Sequence, residues 1–95
     1  MKVVVVFTMK GCPYCVEIKE ILKQNEIEFV ERDIHDYEDE YSAFVEAKNN
    51  EFVPSLMLMT LDNNENYSNV KLLAPDDDYI DIYEGVNMII DYLSE

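Results

Sequence analysis

The chain is 95 residues long and 48% hydrophobic, with four Phe and seven Tyr, enough for one compact core and too short for a second. Twenty-one acidic side chains face seven basic ones, for a net charge of −14 and a pI near 4.1. Such a surface repels phosphate backbones, which excludes general nucleic-acid binding and disfavours anionic membranes.

In chain order, Lys2–Thr8 (KVVVVFT) is β-branched and apolar on both faces, the pattern of a central strand covered from two sides. Its apolar run, Val3–Phe7, is far shorter than the ~20 residues a membrane helix needs. With polar Thr8 closing the run, it does not make a signal peptide either, and a cytoplasmic location is expected. Met9-Lys10-Gly11 is a short turn. From Pro13 to about Gln24 the period becomes helical, with Ile18, Ile21 and Leu22 on one face and Glu17, Lys19, Glu20 and Lys23 on the other. Pro13 suits a first helical position, where its missing N–H costs nothing, and Asn25 can close the helix. Ile27–Asp33 (IEFVERD) is a half-polar second strand, which completes a βαβ unit.

The acidic stretch Asp36–Glu40 opens a second helix, about Tyr37–Lys48, with Tyr37, Tyr41, Phe44 and Val45 on one face. Acids in its first turn favour the helix dipole, so the charge run needs no ligand to explain it. Ser55–Thr60 (SLMLMT) is a third strand. Tyr79–Tyr83 (YIDIY) alternates as an exposed edge does and is expected to be the fourth. Between these two, Leu61–Asp78 carries the turn clusters Asp62–Asn66 and Pro75–Asp78 around the apolar run Val70–Ala74. It reads as an insertion or an extended hairpin, with an extra strand over Val70–Leu73. Val86, Ile89, Ile90 and Leu93 define a final helix. The order is βαβ, α, ββ, α, a single α/β domain over residues 1–95 with no repeat and no linker.

The only two cysteines are close together, as Cys12-Pro13-Tyr14-Cys15. A zinc site needs four ligands, and beyond this pair there is only His35, a surface residue between strand and helix. Two inert core cysteines are a second reading, but Gly11 and Pro13 mark a turn rather than a core stretch. A redox dithiol is the third, the expectation for C-x-x-C beside a βαβ pattern. Charge singles out the same region: residues 1–23 carry Lys2, Lys10, Lys19 and Lys23 against two Glu, for a net +2, and the remainder carries −16. A positive rim formed by Lys10, Lys19 and Lys23 around the dithiol is therefore expected.

At three places the chain resembles the glutaredoxins of the thioredoxin-like fold. Phe7-Thr8-Met9-Lys10-Gly11-Cys12-Pro13-Tyr14-Cys15 is similar to their dithiol active site at the end of the first strand. Val53-Pro54, ahead of the third strand, lies where the family places a cis-proline loop. Glu84-Gly85-Val86-Asn87 lies where the family carries a Gly-Gly-x-Asp that holds glutathione, and departs from it at Glu84 and Asn87. The resemblance implies a central mixed four-stranded sheet with helices on both faces and an enlarged connection between the third and fourth strands.

It also implies a glutathione-dependent thiol-disulfide oxidoreductase acting on protein disulfides and glutathione mixed disulfides. Cys12 is then the nucleophile, activated by the helix N-terminus and by Lys10, and Cys15 the buried resolving thiol. Lys10, Tyr14, Val53, Pro54, Gly85, Val86 and Asn87 are the expected glutathione contacts, the last three through backbone donors at a helix N-terminus. Lys48 is a further candidate for a glutathione carboxylate. The changes at Glu84 and Asn87 imply weaker glutathione binding than in a Gly-Gly-x-Asp relative. The expected partners are glutathione and disulfide-containing or glutathionylated proteins, ribonucleotide reductase among them, with no metal, no nucleic acid and no membrane, and the chain acting as a monomer. Two other readings differ in class: a thioredoxin-like electron donor to a dedicated partner, recycled by a flavin reductase, and a non-catalytic interaction module on the same fold.

Overall fold

The computed structural model describes all residues, Met1–Glu95. The elements run β1 (Lys2–Thr8), α1 (Pro13–Gln24), β2 (Val30–Asp33), α2 (Glu38–Lys48), β3 (Ser55–Leu61), β4 (Tyr67–Leu73) and α3 (Ile82–Ser94). They build one four-stranded sheet in the order β2-β1-β3-β4. β2 lies parallel to β1, whereas β3 is antiparallel to both β1 and β4. The expected mixed sheet with helices on both faces is present. No helix is long and apolar enough to cross a membrane.

The two-sided character of β1 follows from its pleat, which sends successive side chains to opposite faces. Val4 and Val6 join Ile18 and Leu22 of α1 and Ile82, Val86, Ile89 and Tyr92 of α3 in the larger core cluster. Val5 and Phe7 point the other way and meet Phe44 of α2 with Met59 and Ala74. There Phe7 packs edge-on to Phe44, with ring centroids 5.8 Å apart, and tilted against Tyr41 at 5.7 Å. Val5, Val6 and Phe7 are wholly buried, so this strand cannot accept a polar residue on either side.

The expected positions hold for β1 and α1 and, within a residue, for α2 and β3. β2 is shorter than expected: Ile27 and Phe29 pack against the core from a loop, and regular pairing starts only at Val5↔Val30. The fourth strand is a correction. It is Tyr67–Leu73, not Tyr79–Tyr83, and of the two readings of Leu61–Asp78 the structure has the hairpin and not the insertion, since β3 and β4 pair directly across the Asp62–Asn66 turn. The Asp62 side chain accepts from the backbone N–H groups of Asn64 and Asn66 and closes that turn. The extra strand foreseen at Val70–Leu73 is thus the inner part of the true edge strand. A register shift between Leu58 and Thr60, with Asn69 at positive φ, breaks its alternation.

Tyr79–Tyr83 instead leads into α3. Tyr79 and Ile82 are buried while Ile80 and Asp81 are exposed, a helical spacing rather than a strand's. Asp81 is the N-cap, in extended conformation, and its carboxylate accepts from the Glu84 backbone N–H at 2.8 Å.

Leu22 is wholly buried between α1, β1 and α3, whereas Ile80 is 81% exposed. Leu22→Ala is therefore expected to lower the unfolding free energy by ~2–5 kcal/mol, and Ile80→Ala by no more than ~0.5 kcal/mol. Urea unfolding followed by circular dichroism measures both. Comparable losses at the two positions would contradict the placement of Ile80 outside the sheet.

Candidate functional site

The antiparallel pairing of β1 with β3 sets the Phe7 end of β1 opposite Ser55, the first residue of β3. The segments that continue from those two ends therefore meet. From β1 the chain turns through Met9–Gly11, and Gly11 adopts a φ of +77°, a left-handed conformation that suits glycine. Cys12 follows as the N-cap of α1, with Pro13 at the first helical position. On the other side stand Val53 and Pro54, joined by a cis peptide bond as the resemblance implies.

Cys12 and Cys15 form a disulfide, with Cα atoms 5.3 Å apart. The backbone N–H of Cys15 donates to Cys12 Sγ at 3.1 Å. That bond and the positive end of the helix dipole both favour negative charge on this sulfur once the disulfide is reduced. Cys12 Sγ also lies 4.0 Å from the Val53 carbonyl oxygen. Cys15 is 2% exposed and Cys12 8%. The order matches expectation, but Cys12 is less open than a free nucleophile was expected to be, because in the oxidised form its sulfur is turned inward onto Cys15 and Val53.

The glutaredoxin sequence profile matches residues 4–59. The chain belongs to the glutaredoxin family. Comparison with curated proteins gives no match. Among solved structures, it is similar to the thioredoxin-like protein BC3987 (TM-score 0.58, 18% identity, 94% of this chain and 97% of that one). It is also similar to the glutaredoxin from Brucella melitensis (TM-score 0.56, 21% identity, 96% and 86%). A third likeness is to the thioredoxin of Trichomonas vaginalis (TM-score 0.55, 18% identity, 98% and 78%). At these identities the likeness is one of fold, and that fold is thioredoxin-like.

The expected glutathione contacts divide into two groups. Tyr14, Val53 and Pro54 line a groove of about 460 Å³ together with Glu17, Phe52, Pro75, Asp76 and Tyr79–Tyr83. Lys10, Gly85, Val86 and Asn87 do not line it, and neither do Cys12 and Cys15, which adjoin it through Val53 and through Tyr14, the residue before Cys15. Lys10 is exposed two residues before Cys12 and takes part in no ion pair. The three α3 residues fall in the second turn, because the helix begins at Ile82. Gly85 N–H is already bonded to the Asp81 carbonyl at 3.2 Å, and both Gly85 and Val86 are buried. The free backbone donors of that helix start are therefore at Ile82 and Tyr83.

The expected positive rim is also corrected. Lys19 is tied to Glu31 of β2 at 2.8 Å, and hydrogen bonds from Lys19 and then Thr8 hold the Glu31 carboxyl below its usual value. Lys23 lies beside Met1–Val4 and Ile27–Val30, at the start of β1 and so at the end of that strand away from the dithiol. Lys48 pairs with Asp78 at 2.8 Å and is not at the groove.

Sequence reasoning missed the residues that support the proline loop. The buried Tyr79 phenol donates to the Pro54 carbonyl. Burial, then the nearby Asp76 and Asp78 carboxylates, push that phenol far above its usual value, so it stays a donor at any physiological pH. Gly85 makes room for it: a Cβ there would come within 3.2 Å of the Tyr79 ring. Asn50 ties the same loop to the chain after β4, donating to the Pro75 carbonyl at 2.8 Å and accepting from the Phe52 N–H at 2.9 Å. The sequence did carry one signal for this region. Asp81-Ile82-Tyr83-Glu84 has the spacing of a capping box, which marks a helix start rather than a strand.

The inequality of the two sulfurs gives the first expectation here. Cys12→Ser abolishes all disulfide reduction. Cys15→Ser keeps reduction of glutathione mixed disulfides and loses most reduction of protein disulfides. Alkylation of the reduced protein near neutral pH, mapped by mass spectrometry, labels Cys12 first, and faster labelling of Cys15 would reverse the roles.

The Tyr79 bond gives the second. Tyr79→Phe leaves the Pro54 carbonyl without its donor, at a cost of ~1–3 kcal/mol in unfolding free energy. It also raises KM for a protein disulfide several-fold with little change in the alkylation rate of Cys12. Equal loss in both rates would place Tyr79 in the general core rather than behind the proline loop.

Proposed function

We propose that the protein is a dithiol oxidoreductase that reduces protein disulfides and glutathione mixed disulfides, with glutathione as its reductant. The observation that carries this reading is the Cys12–Cys15 disulfide at the first turn of α1, with the Cys15 N–H directed at Cys12 Sγ. Membership of the glutaredoxin family supports glutathione as the electron source. A reducing compartment such as the cytoplasm suits a dithiol that must be regenerated.

The reaction follows from the asymmetry of the pair. Reduced Cys12, as the thiolate, attacks one sulfur of the target disulfide and displaces the other as a thiolate, which takes up a proton. Cys15, held three residues away at the same helix turn, then attacks the Cys12 sulfur. The target leaves with both cysteines reduced, and its two-electron oxidising equivalent stays as the Cys12–Cys15 disulfide. One glutathione thiolate opens that disulfide by forming a mixed disulfide at Cys12. A second attacks the glutathione sulfur of that mixed disulfide, forming glutathione disulfide and releasing Cys12 as its thiolate beside the reduced Cys15. No metal is needed in any step.

A second reading is a thioredoxin-like donor to a dedicated partner such as ribonucleotide reductase, recycled by a flavin reductase. It is favoured by one feature: the groove beside the dithiol holds carboxylates and no cation, a poor setting for anionic glutathione. A non-catalytic module is disfavoured by the paired cysteines at the helix start.

Two coupled assays with NADPH as the final donor separate these readings. On the first, turnover proceeds with glutathione and glutathione reductase. On the second, it proceeds with thioredoxin reductase and is negligible with glutathione. Absence of insulin reduction by the dithiothreitol-reduced protein would remove both.

A further inference from the structure

Resting on the oxidoreductase reading, a narrower substrate class follows from what lines the groove next to the dithiol. Its apolar part is unusually bare. Tyr14, Phe52, Ile80 and Tyr83 all face it, with exposures of 63%, 62%, 81% and 63%. Nothing in the fold needs Ile80 there, since it adds nothing to either core cluster. Large apolar side chains gathered on one exposed groove mark a surface that is covered in use.

The polar part is of one sign. Glu17, Asp76 and Asp81 are the charged residues of the lining, and no Lys, Arg or His joins them. None of the three is in an ion pair. Lys48 and Lys19 are engaged elsewhere, with Asp78 and Glu31, and Lys10, which is unpaired, does not line the groove. The chain's net charge of −14, to which these three contribute, extends the same field to long range.

We propose that this groove takes a polypeptide segment carrying the target disulfide, with an apolar side chain beside the cysteine and Lys or Arg next to it: a cationic protein disulfide. The apolar residue covers Ile80, Tyr83 and Phe52. The cations neutralise Glu17, Asp76 and Asp81, which gain most when the segment excludes water from the groove. Cys12 then attacks the target sulfur as described above, with the electron balance unchanged.

The test uses three synthetic peptides, each with one intramolecular disulfide and a leucine beside the attacked cysteine, flanked by lysines, serines or glutamates. At low ionic strength, kcat/KM is expected to fall in the order lysine, serine, glutamate, with on the order of tenfold between the first two. The spread is expected to narrow as salt screens the charges. The variant Glu17→Gln/Asp76→Asn/Asp81→Asn keeps the N-cap acceptor and a residue tolerant of the positive φ at position 76. It is expected to bring the lysine-to-serine ratio close to one.

Equal rates for the three peptides, a preference for the glutamate peptide, or an unchanged ratio in the variant would overturn the proposal while leaving the oxidoreductase reading intact. Failure to reduce any of the peptides, and insulin as well, would overturn that reading too.

Discussion

The antiparallel register of β1 against β3 is the constraint on which the rest depends. It sets Phe7 opposite Ser55 and so brings two chain segments, far apart in sequence, to one end of the sheet. One is the turn into α1 with its cysteines, the other the Val53–Pro54 loop. Because side chains alternate across a strand, a slip of one residue would send Val4 and Val6 to the α2 side and Val5 and Phe7 to the α1 and α3 side. Both cores resist that. The buried β-branched run therefore serves the chemistry as well as stability: it fixes where Cys12 Sγ stands relative to the Val53 carbonyl.

Around this fixed point the supporting contacts come from outside the motif. Tyr79 holds Pro54 from below, Asn50 ties the loop to Pro75, and Gly85 leaves the space that the Tyr79 ring fills. Tyr79 lies between β4 and α3, Asn50 in the loop between α2 and β3, and Gly85 inside α3. A reactive pair at a helix end still needs the facing backbone held to within a fraction of an ångström, and here buried hydrogen bonds from distant residues provide this.

How much was legible in the sequence depended on the kind of signal. The run KVVVVFT, the turn at Gly11, Pro13 at a helix start and the C-x-x-C spacing all point the same way, and β1, α1 and the dithiol stand where expected. β4 was harder because it is an edge strand with only Leu73 buried, so Tyr67–Val70 shows little apolar alternation. Tyr79–Tyr83 alternates in composition but not in burial, and the Asp81 cap decides between the two. Misplacing that strand also misplaced the helix start, which is why free backbone donors were expected at Gly85, Val86 and Asn87 when the first turn of α3 carries them at Ile82 and Tyr83. The lysine rim failed for another reason: nearness in sequence says nothing about which acid on a neighbouring strand will claim a flexible cation, as Glu31 claims Lys19.

These corrections change the electrostatic character of the site. Taken by sequence, the dithiol lies in the one positive part of an acidic protein. In space, Lys19 and Lys23 are directed to β2 and to the start of β1, and the chain after β4 brings Asp76 and Asp81 to the groove instead. Of the three lysines, only Lys10, two residues before Cys12 in the chain, is neither in an ion pair nor at the far end of β1. The site thus combines a helix N-terminus, which favours the thiolate, with an acidic and apolar groove beside it. The two do not conflict, because they act over different distances. Stabilising a thiolate is a matter of contacts within a few ångströms, such as the Cys15 N–H at 3.1 Å. Choice among charged substrates is set over roughly a Debye length, ~8–10 Å at physiological salt, and the charged residues of the groove lining are all carboxylates. A dithiol can therefore be nucleophilic through its immediate neighbours and still discriminate against anions through the wall beside it.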